Sequence, residues 1–222
     1  GTTAKLPRGL ADVHGVRATK SIKNAHLHSK MIVRMILALC AMSPIIQSAT
    51  QTDSANGLMF QACMKPGSDS VKTVKLALGK GADINKQHDL TGQTPLMAAT
   101  LGGKPKIVKY LLEAGADPSI PEKDGYTPPH GAGFQGRAEV MEVLIQFGLD
   151  VNVFHSDGFA PLHRACWGRD ERHSETVEVL LKHGIDKNLE PKSSGQTCMS
   201  MTPNEKTKMI LQQWFSGHDE EL

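Results

Sequence analysis

Ten histidines and four cysteines are the residues of this 222-residue chain best suited to chemistry. His163 and Cys166 stand at i and i+3, a spacing at which one helix presents two side chains to a common metal ion. A closed zinc site needs further ligands of the same kind, and neither a Cys-x-x-Cys nor a His-x-x-x-His supplies them. No glycine-rich phosphate loop follows a strand pattern, no Gly-x-Ser-x-Gly occurs, and no carboxylate pair stands apart from ordinary turn aspartates. Catalytic residues, metal ligands and cofactor-binding residues are therefore all assigned as none, and the chain is expected not to be an enzyme. An enzyme using His163 and Cys166 would instead carry bound metal.

With 39% apolar and 22% charged residues and only ten aromatics, the composition suits an Ala/Leu-type helical core better than a sandwich or barrel. The net charge of +2 conceals an asymmetry, because residues 1–34 hold seven Lys/Arg against Asp12 alone. The remainder is mildly acidic and has no Lys/Arg cluster interleaved with aromatics, which argues against a nucleic-acid partner. The apolar run from Met35 to Ile46, with Pro44 inside it, falls short of the roughly 20 residues a spanning helix needs, so no integral membrane span is expected. Read from Met31, the same stretch resembles a signal peptide, with Arg34 in its basic n-region and a small-residue stretch at 47–50. An organellar leader and a plain tail are the other readings. The expected division is a basic, disordered leader at 1–30, the apolar segment at 31–50, a repeat region at 55–215 and an acidic tail at 216–222.

The elements that position these residues repeat. Thr94-Pro95-Leu96, Thr127-Pro128-Pro129 and Ala160-Pro161-Leu162 lie 33 residues apart, with an echo at Thr197-Cys198-Met199. Gly81-Ala82-Asp83, Gly115-Ala116-Asp117, Gly148-Leu149-Asp150 and Gly184-Ile185-Asp186 keep step. Between them run apolar residues at helical spacing, such as Ile107, Val108, Leu111 and Leu112. Each unit reads as two helices and a hairpin: Thr before Pro caps the first helix, Gly ends the second, and Asp124-Gly125 and Asp157-Gly158 mark hairpin tips. A single unit cannot bury its apolar face, so stability comes from stacking on its neighbours.

The segments Gly-Gln-Thr-Pro-Leu-Met-Ala-Ala (92–99), Asp-Gly-Tyr-Thr-Pro-Pro-His (124–130) and Ala-Pro-Leu-His-Arg-Ala (160–165) resemble ankyrin repeats. The resemblance implies an all-α solenoid of stacked helix-turn-helix units with β-hairpin tips. The units fall at about 55–89, 90–122, 123–155 and 156–192, with a C-terminal cap at 193–215. It also implies that His130 and His163, in the Thr-Pro-Leu-His place, make structural hydrogen bonds tying hairpin to helix. Unit three departs from the pattern through Pro129, Gly131 and Gly133, so its first helix is expected to be the softest. Units one and four are longer by three residues, an excess placed in their helix-to-helix turns at 65–70 and 168–174.

Cys63 and Cys166 hold equivalent places three units apart, roughly 25–30 Å at the usual helix spacing, which excludes a bond between them. Cys198 has no evident partner, so a reduced array is expected, mildly favouring the cytoplasm. The ending Asp219-Glu220-Glu221-Leu222 resembles a retention signal with two positions changed, and together with a Met31 leader it would fit the endoplasmic reticulum.

Aligning the units places Met64, Leu101, Phe134 and Trp167 at one position, just after the paired small residues of each first helix. In ankyrin repeats that place is similar to a variable one on the concave face. Tyr126 and Phe159 match a second variable place, on the hairpin arm. These rings either bind a protein or peptide partner or fold onto neighbouring hairpins and stiffen the array, and the binding reading makes His88, Asp89, Lys123, Phe154 and His155 its polar rim. The expectation is a monomeric, non-catalytic adaptor docking its partner between units two and four. The alternative is the interaction segment of a larger enzyme or channel.

Overall fold

The computed structural model describes residues 44–65, 71–186, 188–191 and 195–217. The leader, most of the apolar segment and residues 218–222 of the acidic tail lie outside them. The chain divides into residues 1–50 and 51–222, and the second unit contains the repeats.

Ten helices run through the described residues: α1 (Pro44–Met64), α2 (Val71–Gly79), α3 (Pro95–Leu101), α4 (Pro105–Glu113), α5 (Pro128–Gln135), α6 (Ala138–Gln146), α7 (Pro161–Cys166), α8 (Glu171–Lys182), α9 (Cys198–Met201) and α10 (Glu205–Gly217). From α3 onward odd helices pack on odd and even on even, while α3–α4, α5–α6, α7–α8 and α9–α10 pack as pairs. The result is a two-layered all-α ankyrin-type solenoid, and none of the described helices is long and apolar enough to cross a membrane. Its core threads both layers through Met59, Leu96, Ile107, Leu111, Met141, Leu144, Leu162 and Leu180, all fully buried. Each unit supplies the apolar surface that its neighbour covers.

Local chemistry repeats with the units. Gly115 follows α4 at φ 90°, its N–H bonded to Leu112 O at 3.1 Å, while the Ala116 N–H reaches Leu111 O at 2.9 Å. This paired closure requires a left-handed residue, which is why glycine stands there, and it recurs at Gly81, Gly148 and Gly184. The aspartate two residues on accepts a backbone N–H within its own turn: Asn85 N to Asp83 Oδ1 (2.9 Å), Ser119 N to Asp117 Oδ1 (2.8 Å), Asn152 N to Asp150 Oδ1 (2.8 Å) and Asn188 N to Asp186 Oδ1 (2.8 Å).

Three details differ from the sequence reading, and a fourth places the glycines of unit three. The tips are tight turns, closed by bonds such as His88 N to Gln93 O (2.8 Å) with Gly92 N to His88 O (2.7 Å), or Glu122 N to Tyr126 O (3.0 Å) with Gly125 N to Glu122 O (2.9 Å), and no strand ladder forms among the described residues. Thr94 caps α3 through Met97 N at 3.2 Å, whereas the Thr127 hydroxyl turns to His130 Nδ1 at 2.9 Å and does not cap its helix. In unit four the three extra residues mostly lengthen α8, which has 12 residues against nine in α4 and α6. Gly131 and Gly133 sit in a helix that forms fully and are buried there. A Cβ on Gly133 would collide with the carbonyl oxygen of Pro161, so its absence lets α5 and α7 approach closely.

Candidate functional site

Three of the four side chains at the aligned position are exposed to solvent: Met64 is 56% exposed, Phe134 58% and Trp167 37%, while Leu101 is half-buried. Tyr126 and Phe159, from the tips of units three and four, are half-buried.

Arg164 organises the two aromatic tips. It lies on α7, is only 7% exposed, and its guanidinium carbon sits 4.8 Å from the Tyr126 ring centre, 5.5 Å from Phe159 and 4.9 Å from Trp167. A cation among ring faces in a site of low dielectric is favourable. Its charge is met by Asp157, to which Nη2 donates, and the same nitrogen donates to Tyr126 Oη at 3.1 Å. Tyr126 in turn donates to Asp157 Oδ2 at 3.2 Å, and Phe159 packs edge-on against Trp167 at 4.6 Å. Burial alone would raise the Asp157 pKa; hydrogen bonds from His155, Arg164 and the Phe159 N–H, with the Arg164 charge, outweigh it and hold the carboxyl at about 2. Burial is also the main cause that raises Tyr126.

The histidines serve the scaffold in the way the family resemblance implies. His130 Nε2 donates to Val153 O at 3.1 Å and His163 Nε2 to Leu189 O at 2.8 Å, while His163 Nδ1 accepts the Ala160 N–H at 3.0 Å. Each thus ties the start of its helix to the next tip, and His163 has both ring nitrogens engaged. Burial, followed by the neighbouring His155 charge, pushes His130 down to about 4, and burial lowers His163 as well. Among the described residues no group of three or more His, Cys, Asp or Glu is placed to hold a metal ion.

The thiol reading needs correction. Cys166 and Cys198 form a disulfide across a Cα–Cα distance of 5.5 Å, joining α7 to α9, and of the described cysteines Cys63 alone is free. The two bonded residues are 32 apart, about one repeat, so that stacking brings them side by side. Burial pushes the Cys63 thiol up to about 12, which leaves it without nucleophilic character at neutral pH.

The proposed rim divides. Asp89 and Lys123 are exposed, Asp89 beside Lys86 at 3.6 Å, and His88 packs edge-on against Phe60 at 5.4 Å. Phe154 and His155 turn inward: the Phe154 ring lies 6.3 Å from His163, and His155 stacks on Tyr126 at 4.0 Å and meets Asp124 O at 2.8 Å. Between the second and third tips lies a cleft of about 360 Å³, lined by Met97, Leu101, Glu122, Asp124, Tyr126 and Phe134, with Arg164 at one side. Sequence reasoning missed Arg164 and Glu122 and took Asp124 only as a hairpin-tip signal; only the fold brings them to the aromatic row.

Residues 28–122, 58–155 and 111–191 match the family described as ankyrin repeats, in three copies. The chain belongs to the ankyrin repeat family. It is similar to ankyrin repeat and SAM domain-containing protein 6 of Rattus norvegicus, 44% identical over 74 residues, which are 33% of this chain and 8% of the relative. It is also similar to protein phosphatase 1 regulatory subunit 27 of Mus musculus, 45% identical over 58 residues, 26% of this chain and 37% of that protein. A third likeness is to the mitochondrial disaggregase of Bos taurus, 42% identical over 52 residues, 23% of this chain and 8% of the relative. The chain thus spans well under half the length of each of these proteins, and the likeness lies in the repeats. Ankyrin repeats are protein-interaction modules.

Proposed function

We propose that this array is a non-catalytic adaptor that receives a protein or peptide on its concave face, across units two to four. The observation that carries the reading is the exposure of Phe134, which sits at the aligned position and has no ring partner among the described residues. An apolar ring kept in water at the centre of a groove contributes little to folding, and buried aromatics at the centre of interfaces contribute most to binding. Replacing Phe134 and Trp167 with Ala, while following melting and partner capture, tests it. Loss of capture by the folded variant is expected, and capture equal to that of the parent protein sinks the reading.

A second reading, that the array is the interaction segment of a longer polypeptide, is favoured by the relatives, since the matched repeats fill 8% of two of them. A full-length transcript encoding a further domain supports it; one encoding the array alone removes it.

A further inference from the structure

We propose that the cleft between the second and third tips is a receptor for one basic side chain, lysine or arginine, of an extended partner segment. The proposal rests on the concave-face reading and names the chemistry of the occupant.

The size fits. About 360 Å³ lies near the lower end of the range for ligand pockets, room for one long side chain and too little for a helix. The walls match a lysine or arginine along its length. Met97, Leu101 and the exposed ring of Phe134 offer apolar surface to an alkyl stem. Glu122 and Asp124 place two carboxylates on the cleft, and neither forms an ion pair among the described residues. Glu122 is fixed there, because its Oε1 accepts the N–H groups of Asp124 at 3.0 Å and Tyr126 at 3.3 Å. The face of Phe134 adds attraction for a cation, while that of Tyr126 is taken by Arg164 and His155.

Charge decides against the other occupants. Arg164, the one cation among the described residues lining the cleft, already faces Asp157, so an anion entering beside it would meet Glu122 and Asp124 as well. A purely apolar side chain would strip water from those two carboxylates without giving them a partner.

The test uses the full chain and short, terminally blocked fluorescent peptide pools, each with Lys, Arg, Leu or Glu fixed at its centre among neutral residues, titrated by fluorescence anisotropy. The Lys and Arg pools are expected to bind about tenfold more tightly than the Leu and Glu pools, a factor suited to partly exposed charge pairs. The double variant Glu122→Gln, Asp124→Asn, whose Gln keeps the turn-forming Oε1, should erase that preference without a change in melting. A preference that survives in the variant, equal binding of the Leu or Glu pool, or binding of no pool overturns the proposal. Preference for the Leu pool, abolished by Phe134→Ala, overturns the basic receptor while leaving the concave-face reading intact. Partner capture that withstands Phe134→Ala with Trp167→Ala defeats that broader reading itself.

Discussion

Acid should loosen this array through His130 before its carboxylates begin to protonate. The ring is 2% exposed, Nε2 donates to Val153 O, and Nδ1 must then accept from the Thr127 hydroxyl, so the neutral tautomer is the one the site is built for. A proton would put a charge in a buried place that already faces Arg164 and His155, against which Asp157 pulls only weakly, and these causes, burial first, hold the pKa at about 4. The folded pKa lies below the unfolded value of 6.5, so below 6.5 the unfolded chain takes up a proton that the folded chain refuses. Stability is therefore full above about pH 7 and declines as pH falls toward 4. A tenfold change in proton affinity is worth about 1.4 kcal/mol, which gives a loss of about 1.4 kcal/mol at about pH 5.5 and about 3 kcal/mol at about pH 4. Urea denaturation near pH 7.5 and near pH 5.5, of the parent protein and of His130→Gln, isolates the contribution, because every other titrating group is common to both. The variant starts less stable but should lose about 1 kcal/mol less between the two pH values. Equal losses in the two proteins would refute the reasoning.

Other consequences follow from packing and covalent structure. Reducing the Cys166–Cys198 bond, which closes a loop of 32 residues, should lower stability by about 3–4 kcal/mol on the chain-entropy account. Melting with and without dithiothreitol checks this, and Cys166→Ala should make the protein indifferent to the reductant. Gly133→Ala drives a Cβ into the Pro161 carbonyl and should destabilise by about 1–3 kcal/mol. Gly57→Ala, in α1 with nothing within 4 Å, should stabilise by about 0.5–1 kcal/mol, and paired thermal melts compare the two. Arg164→Met keeps the stem but removes the cation beside Asp157, which keeps its bonds from Tyr126, His155 and the Phe159 N–H; because that carboxylate is also 36% exposed, the loss should be only about 1–2 kcal/mol, read by urea titration.

The repeat pattern was legible because it rests on residues whose backbone demands are strict. Gly81, Gly115, Gly148 and Gly184 must adopt positive φ, Pro95, Pro128 and Pro161 must open helices, and such demands leave a period in the sequence. The exposed row was legible for the complementary reason: Phe134 and Trp167 occupy a position where the fold asks for no large apolar side chain. Arg164 was hidden. Its neighbours Tyr126 and Asp157 are 38 and seven residues away, and nothing in the spacing says that a guanidinium will be buried among rings. The disulfide was hidden in a similar way, since Cys198 lies in a short cap helix whose register against α7 is set by packing and not by the motif. Gly133 signals weakness when judged by propensity; the close approach to Pro161 that excludes a Cβ there belongs to the tertiary level and leaves no mark in propensity.

The rings of the aromatic row differ in how they are held. Tyr126, Phe159 and Trp167 are gathered about Arg164, and Asp157 neutralises that centre, so each of the three is held by contacts that exist before any partner arrives. Rings fixed in this way lose little freedom on binding, an advantage of roughly 0.5–1.5 kcal/mol for each side chain already ordered. Truncating one of them disturbs the array as well as the groove, so Trp167→Ala should lower both melting temperature and partner affinity. Phe134 is different, being more exposed and outside that cluster. Phe134→Ala should therefore weaken capture while leaving the melting temperature within the small range usual for surface substitutions, about ±0.5 kcal/mol in stability. The separation of the two effects, measured by melting and partner titration on the same preparations, distinguishes a preorganised interface from a packing device: if Phe134→Ala unfolds the array as readily as Trp167→Ala, the row exists for packing.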